Sequence, residues 1–357
     1  MSGVWSEERA TAWQADRGWR VGCNFASSSA SNQLEMWQEA TFDLETLERE
    51  VGFARDLGFT SLRVFLHDQA WQQDPVGFGD RIETFLDVAD RHGIGSLPVL
   101  FEGVWNPHPK AGPQPEPRHR VHNAGWVQSP GAEVLADSAR QKALEPYVTG
   151  VLERFRDDPR IDGWDLFNEP DNPNPAYRPQ EIADKSARAF ELLSRAFAWA
   201  RAVDPSQPLT VGVWQGDWDD PAGLSDVSRL SLDSSDVISF HCYGDLADLS
   251  ARVGALRRYG RPLLCTEFMA RMMGSTFDPN LGWMKEQGVG AYCWGFVAGR
   301  IQTEYGWDSW VKQYEAEPDP WFHDVLRPDG TAYDPAEAAY IRSLTHDSVQ
   351  EHFSRSD

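Results

Sequence analysis

Short apolar runs alternate with longer segments in which apolar residues recur every three or four positions, from about residue 20 to residue 345. The short runs fit strands buried on both faces, and the longer segments fit helices that cover a sheet with one apolar stripe. Eight strands are predicted, at 20–25, 60–66, 96–101, 163–168, 209–214, 237–241, 262–267 and 290–296. Helices are predicted near 42–57, 79–92, 133–157, 179–203, 221–230, 246–259, 276–287 and 335–344. In the first of these, Leu44, Leu47, Val51 and Ala54 recur at helical spacing, Glu45, Glu48 and Glu50 decorate the other face, and Gly58 closes the segment. Eight such repeats predict an α/β fold of the (β/α)8 TIM-barrel type, with a single domain over 1–357 and the barrel proper at about 20–345.

Two stretches interrupt the alternation. Residues 103–129, after the third strand, are rich in Pro, His and Asn and lack periodicity. Residues 296–329, after the eighth, carry Trp307, Trp310, Tyr314 and Trp321. Both are predicted as long ordered loops on the side where the strands end, which is where a barrel builds its pocket.

Composition narrows the partners. The 357 residues include 33 basic and 55 acidic side chains, a net charge of −22, so a nucleic acid, whose phosphates require Lys and Arg, is not an expected ligand. Sixteen tryptophans are present, and Trp37, Trp71, Trp105, Trp126 and Trp218 fall in predicted loops. They fit either barrel packing or flat platforms for the C–H faces of sugars. Cys23, Cys242, Cys265 and Cys293 lie in or at the ends of predicted strands without metal-site spacing, and are expected to be small buried thiols. The N-terminal residues show no basic segment followed by an apolar one, and no apolar run reaches the ~18 residues of a membrane span. A cytoplasmic location and no membrane association are therefore expected.

Two of the strand-like runs end in a carboxylate. Trp164-Asp165-Leu166-Phe167 stops at Asn168-Glu169-Pro170, and Pro262-Leu263-Leu264-Cys265-Thr266 stops at Glu267. A pair of carboxyl groups at a barrel rim is the minimum equipment for breaking a glycosidic bond. Further polar residues fall at strand positions: Arg63 within Ser61-Leu62-Arg63-Val64, His241-Cys242-Tyr243 closing the sixth strand, and Trp294 on the eighth. In this order they resemble the clan A glycoside hydrolases, most closely the cellulase-like family 5, over most of residues 20–300. The resemblance implies Glu169 as acid/base and Glu267 as nucleophile of a retaining mechanism.

On that reading Glu169 must be protonated and Glu267 ionised, with Arg63 holding Glu267 as an anion whose charge raises the pKa of Glu169. Tyr243 is placed to donate to the nucleophile, His241 to meet the sugar or the acid/base, Asn168 to bond the sugar 2-hydroxyl, and Trp294 to floor the central subsite. A carboxyl separation of roughly 5 Å is expected for retention, against about 8 Å for inversion. Each residue also has a plainer reading: Glu169 as a cap, Arg63 as a structural ion pair, His241 as a core histidine, Trp294 as packing.

Asn24 and the polar stretch Asn32-Gln33-Leu34-Glu35-Met36-Trp37 follow the first strand and suit multidentate capture of hydroxyls, which makes Asn24, Glu35 and Trp37 candidate substrate contacts. A surface loop anchored by one Trp is the alternative. Trp105 lies in the third-strand insertion beside His108, His119 and His122, whose spacing forms no compact ligand set, so no metal or cofactor is expected. Trp214 and Gln302 are candidate pocket walls. The third strand ends Phe101-Glu102-Gly103, without the His that many family members carry there. That departure and the missing export signal favour an exo-acting retaining β-glycosidase of oligosaccharides or glycosides. An endo-acting β-1,4-glycanase and an inactive carbohydrate-binding barrel are the alternatives. A lyase or aldolase would want a Lys at a strand end, and no predicted strand ends in one.

Overall fold

The computed structural model describes residues 3–216, 218–220 and 222–353, with side chains to residue 346. Eight parallel strands form the barrel: β1 (Val21–Phe25), β2 (Ser61–Phe65), β3 (Gly95–Glu102), β4 (Trp164–Asn168), β5 (Leu209–Gly212), β6 (Ile238–His241), β7 (Leu263–Phe268) and β8 (Gly290–Cys293). Their hydrogen-bonded order is β5-β4-β3-β2-β1-β8-β7-β6, and a bridge between Val213 and Phe240 joins the two ends. The architecture is the expected (β/α)8 barrel. Nearly every strand residue is buried, because one face fills the barrel and the other meets the helices.

The helix Leu44–Asp56 forms as its periodicity predicts. Asp43 accepts the backbone N–H of Thr46 at the start, and Gly58 follows the end at φ 73°. A Cβ on Gly58 would lie 2.3 Å from Oγ1 of Thr345, so chain direction and packing both select glycine there. The segment predicted as one helix over 133–157 is instead three, Ala132–Leu135, Ser138–Lys142 and Glu145–Arg154. Asp137 caps the second by accepting from Ala139 and Arg140, and Pro146 in the first turn of the third has no N–H to continue the preceding ladder. The predicted start of another helix at residue 221 lies outside the described residues, and the helix itself is Asp226–Ser234. Among the described residues, three α-helices lacked a sequence prediction: Glu7–Arg17, Gln33–Trp37 and Asp68–Gln73. No described helix is long and apolar enough to cross a membrane.

Pairing is regular from β8 through β1, β2 and β3 to β4. It shifts register at the ends of β4 against β5, β6 against β7, and β7 against β8. Irregular strand ends re-aim side chains, and these three strands are the ones that end near Glu169, His241 and Glu267.

Candidate active site

Arg63 organises the barrel mouth from below. It is fully buried on β2, where a lone cation requires partners, and all five of its N–H groups are used. Nε and one Nη2 hydrogen go to Asp165 Oδ2 at 3.1 and 2.8 Å, and the other Nη2 hydrogen to Asn168 Oδ1 at 2.6 Å. Nη1 donates to Asn24 Oδ1 at 2.7 Å and to Glu267 Oε1 at 3.1 Å. The second Glu267 oxygen accepts from the Tyr243 hydroxyl at 2.7 Å. Both Glu267 oxygens are thus held by donors.

Glu169 is placed differently. The chain turns at the end of β4 with Glu169 at φ 42°, a left-handed conformation uncommon outside glycine and frequent at functional sites. One oxygen accepts from Asn172 Nδ2 at 2.5 Å and the other meets His241 Nδ1 at 2.5 Å. His241 Nδ1 also lies 3.5 Å from Glu267, so the imidazole sits between the two carboxyl groups. One ligating atom each from Glu169, His241 and Glu267 fall within 4.8 Å of one another. That matches the close carboxyl spacing expected for retention.

Burial pushes the Glu169 carboxyl up to about 7, opposed by the bond from Asn172 and the charge of Arg63, with Asp171 adding to the rise. The sequence reading gave that role to Glu267. Desolvation instead dominates. Glu267 is also raised by burial, while His241, Arg63 and the Tyr243 hydroxyl pull it down. Burial lowers His241 to about 4, so its ring is neutral near pH 7, and the tautomer sets whether Nδ1 accepts from Glu169 or donates to it. A proton on Glu267 would have to face Arg63 or displace the Tyr243 donor. The Arg63 and Tyr243 donors favour the charged form of Glu267.

The model for glycosyl hydrolase family 10 matches residues 119–220, a stretch that includes Glu169 but not Glu267. Mannan endo-1,4-beta-mannosidase F of Aspergillus clavatus is 21% identical over 151 residues, which are 41% of this chain and 30% of that protein's length. Among solved structures, GH5_18 from Bifidobacterium longum subsp. longum in complex with Manb1-4GlcNAc aligns over 92% of this chain and 78% of its own, with a TM-score of 0.63 at 13% identity. The endo-1,4-beta-D-mannanase of Thermotoga petrophila aligns over 92% of this chain and 99% of its own, with a TM-score of 0.56 at 14% identity. The similarity is to glycoside hydrolases of clan A, and the barrel fold is the one these structures share. The expected closeness to family 5 widens to the clan, because the matching family model is that of family 10.

Within this barrel the predicted residues divide. Arg63, Asn168, Glu169, His241, Tyr243 and Glu267 converge through the contacts above, and Trp294 lies near them with its ring edge-to-face against Phe65 and Trp126. Trp214 lines a cavity of about 290 Å³ with Glu169, His241, Tyr243 and Met273, and donates its indole N–H to Asp171. Trp105, at φ 74°, stacks on Trp310 at 5.7 Å beside His122.

The others are corrected. Trp37 is fully buried, gives its indole N–H to the Phe65 carbonyl, and packs on Phe42, Phe78 and Phe85 in the core. Both oxygens of Glu35 are taken, one by Ser31 and one by Arg300, so it braces loops. Gln302 does the same between Arg118 and Arg120. Asn24 spends its amide on Thr266 and Cys293 carbonyls and its oxygen on Arg63, beneath the site. Trp126 and Trp218 are buried, not platforms, and all four cysteines are buried and free as expected.

Sequence reasoning missed Asp165, Asn172 and Glu102. Asp165 had a readable signal, since a carboxylate inside an apolar strand needs a cation just as the buried Arg63 needs anions. Glu169, His241 and Glu267 are the described group close enough to share a metal ion. Arg63 beside one Glu267 oxygen and a Tyr243 hydroxyl on the other make it a poor ligand set.

Proposed function

We propose that this barrel hydrolyses β-1,4-mannosidic bonds with retention, by double displacement. The observation that supports this is the carboxyl pair with oxygens within 4.8 Å of one another, in which Arg63 and Tyr243 donate to Glu267. In the first step Glu267 attacks the anomeric carbon while Glu169 gives its proton to the leaving oxygen. In the second, Glu169 takes a proton from water, which displaces Glu267. Mannose is favoured because it recurs in the names of the proteins this chain is similar to, an endo-1,4-beta-mannosidase and a complex with Manb1-4GlcNAc.

The same comparisons favour cleavage of internal bonds. A second reading, action at chain ends, has its own support: Arg300 pairs with Glu35 and Glu116, and Asn32 bonds Gln114, so the loops after β1, β3 and β8 are tied together over one side of the mouth. Purified protein is assayed on mannan, manno-oligosaccharides and Manβ1-4GlcNAc against gluco- and xylo-configured counterparts, with the product anomer followed by NMR. The expected result is fastest turnover of a β-mannoside with a β-anomer formed first. An initial α-anomer refutes retention, and faster gluco- or xyloside cleavage refutes the sugar. Early products spread over many lengths support internal cleavage, and a single short product supports the second reading.

A further inference from the structure

We infer that Glu102, the buried carboxyl group ending β3, is a positioning residue that fixes the Asn168 amide beside Glu169 and ties it to the packed Trp126–Trp294 pair. The inference rests on the double-displacement reading. Glu102 Oε1 accepts the backbone N–H of Val104 at 2.6 Å and Asn168 Nδ2 at 3.3 Å. Oε2 accepts Asn168 Nδ2 at 3.2 Å and the Trp126 indole N–H at 3.3 Å. Trp126 in turn packs edge-to-face on Trp294 at 5.8 Å.

The Asn168 side chain is thereby given one orientation. Its oxygen meets Arg63 and its NH2 meets Glu102. A flipped amide would put NH2 against guanidinium and oxygen against carboxylate, losing both bonds and creating two repulsions. The close approach of β3 and β4 that allows this depends on the next residue. A Cβ on Gly103 would lie 2.3 Å from the Glu169 carbonyl oxygen. Lys185 Nζ closes the arrangement by donating to the Gly103 carbonyl at 2.6 Å.

The charged groups around Glu102 are Arg63 from β2, Glu169 following β4, Glu267 from β7, and Lys185 at the start of the helix Lys185–Val203. Burial and Glu267 push the Glu102 carboxyl up, opposed by the bonds from Val104 and Asn168. Every hydrogen-bond partner is an N–H donor. A carboxylic acid would turn its hydroxyl toward one of those donors, so the contacts select an acceptor-only group. A negative charge there also disfavours ionisation of Glu169.

The test compares Glu102→Gln and Glu102→Asp with wild type, on whichever glycoside the wild-type enzyme cleaves fastest. A wrong sugar assignment then appears in the wild-type panel and leaves the variant ratio unaffected. Glu102→Gln places an NH2 against donors and is expected to lower kcat about 100-fold through misplacement of Asn168, with KM within about twofold. Its alkaline pH limb is expected to move to lower pH, because Glu169 then ionises more easily. Glu102→Asp keeps the charge and is expected to keep the wild-type limb with a smaller loss in kcat. Wild-type kcat and an unmoved limb in Glu102→Gln overturn the inference. Equal losses in both variants with unmoved limbs, or a loss that tracks a lowered Tm, overturn it as well, since those report a structural carboxylate.

Discussion

The ends of β4 and β7 each present one glutamate to the same space, yet they hold it in opposite ways. Glu267 is clamped by a guanidinium on one oxygen and a phenol on the other. Glu169 sits on a left-handed residue, with an amide and a neutral imidazole as its partners. Both groups are buried and both are pushed up by that burial. Burial alone therefore does not tell acid from nucleophile. The charged partner differs between them: Glu267 accepts directly from the Arg63 guanidinium and the Tyr243 hydroxyl, which favour its anion, while Glu169 has only an amide and a neutral imidazole.

The largest effect is expected at the clamped end. Glu267→Ala removes the proposed nucleophile and should abolish turnover of every glycoside. Azide or formate added to that variant should restore cleavage and release a product of inverted anomeric configuration, read by NMR. Retained activity without added anion would mean that the difference between the two ends has been misassigned.

Glu169→Gln is the next largest. Loss of a general acid costs roughly 10²–10⁴-fold on an unactivated mannoside, while the first step on a dinitrophenyl glycoside, whose leaving group needs no proton, should stay close to wild type. The pH profile carries the same contrast. In the proposed acid role Glu169 works protonated, and burial raises it to about 7, so activity should be full below that pH and fall as the pH rises through it. In Glu169→Gln that alkaline limb should vanish. An unchanged limb would assign it to some other group.

The sequence makes the barrel legible because all eight strands are short apolar runs, and buried strands cannot be written otherwise. It also makes legible those site residues that end strands, since a polar group at the rim of an apolar run has few places to go. Loop residues were harder to read. Trp37 and Glu35 look alike on paper to substrate contacts, but a five-residue helix capped by Asn32 turns Trp37 into the core and leaves Glu35 for Arg300. That helix is too short for periodicity to reveal. Glu102 was visible only as a missing histidine. Its meaning depends on Trp126, twenty-four positions away, and on Asn168, sixty-six away, which meet only once β3 and β4 are paired.

The smallest expected effect falls at the donor that distinguishes the two ends. Tyr243→Phe removes the hydroxyl from Glu267 and leaves Arg63 as the donor to the opposite oxygen. The ring keeps its edge contact with Trp307 at 5.2 Å and its packing on His323 at 5.5 Å, so the fold and the wall of the cavity should survive, as a melting curve would show. One hydrogen bond to a charged group contributes about 1.5–3 kcal/mol, and part of the loss is offset because a less stabilised carboxylate attacks more readily. A fall in kcat of about tenfold is therefore expected. The acid limb of the profile should move to higher pH, since Glu267 loses a group that favours its charged form, while the alkaline limb set by Glu169 should stay in place. If both limbs move together, the two carboxyl groups titrate as one unit, and the contrast between β4 and β7 belongs to the pair and not to the donors of each.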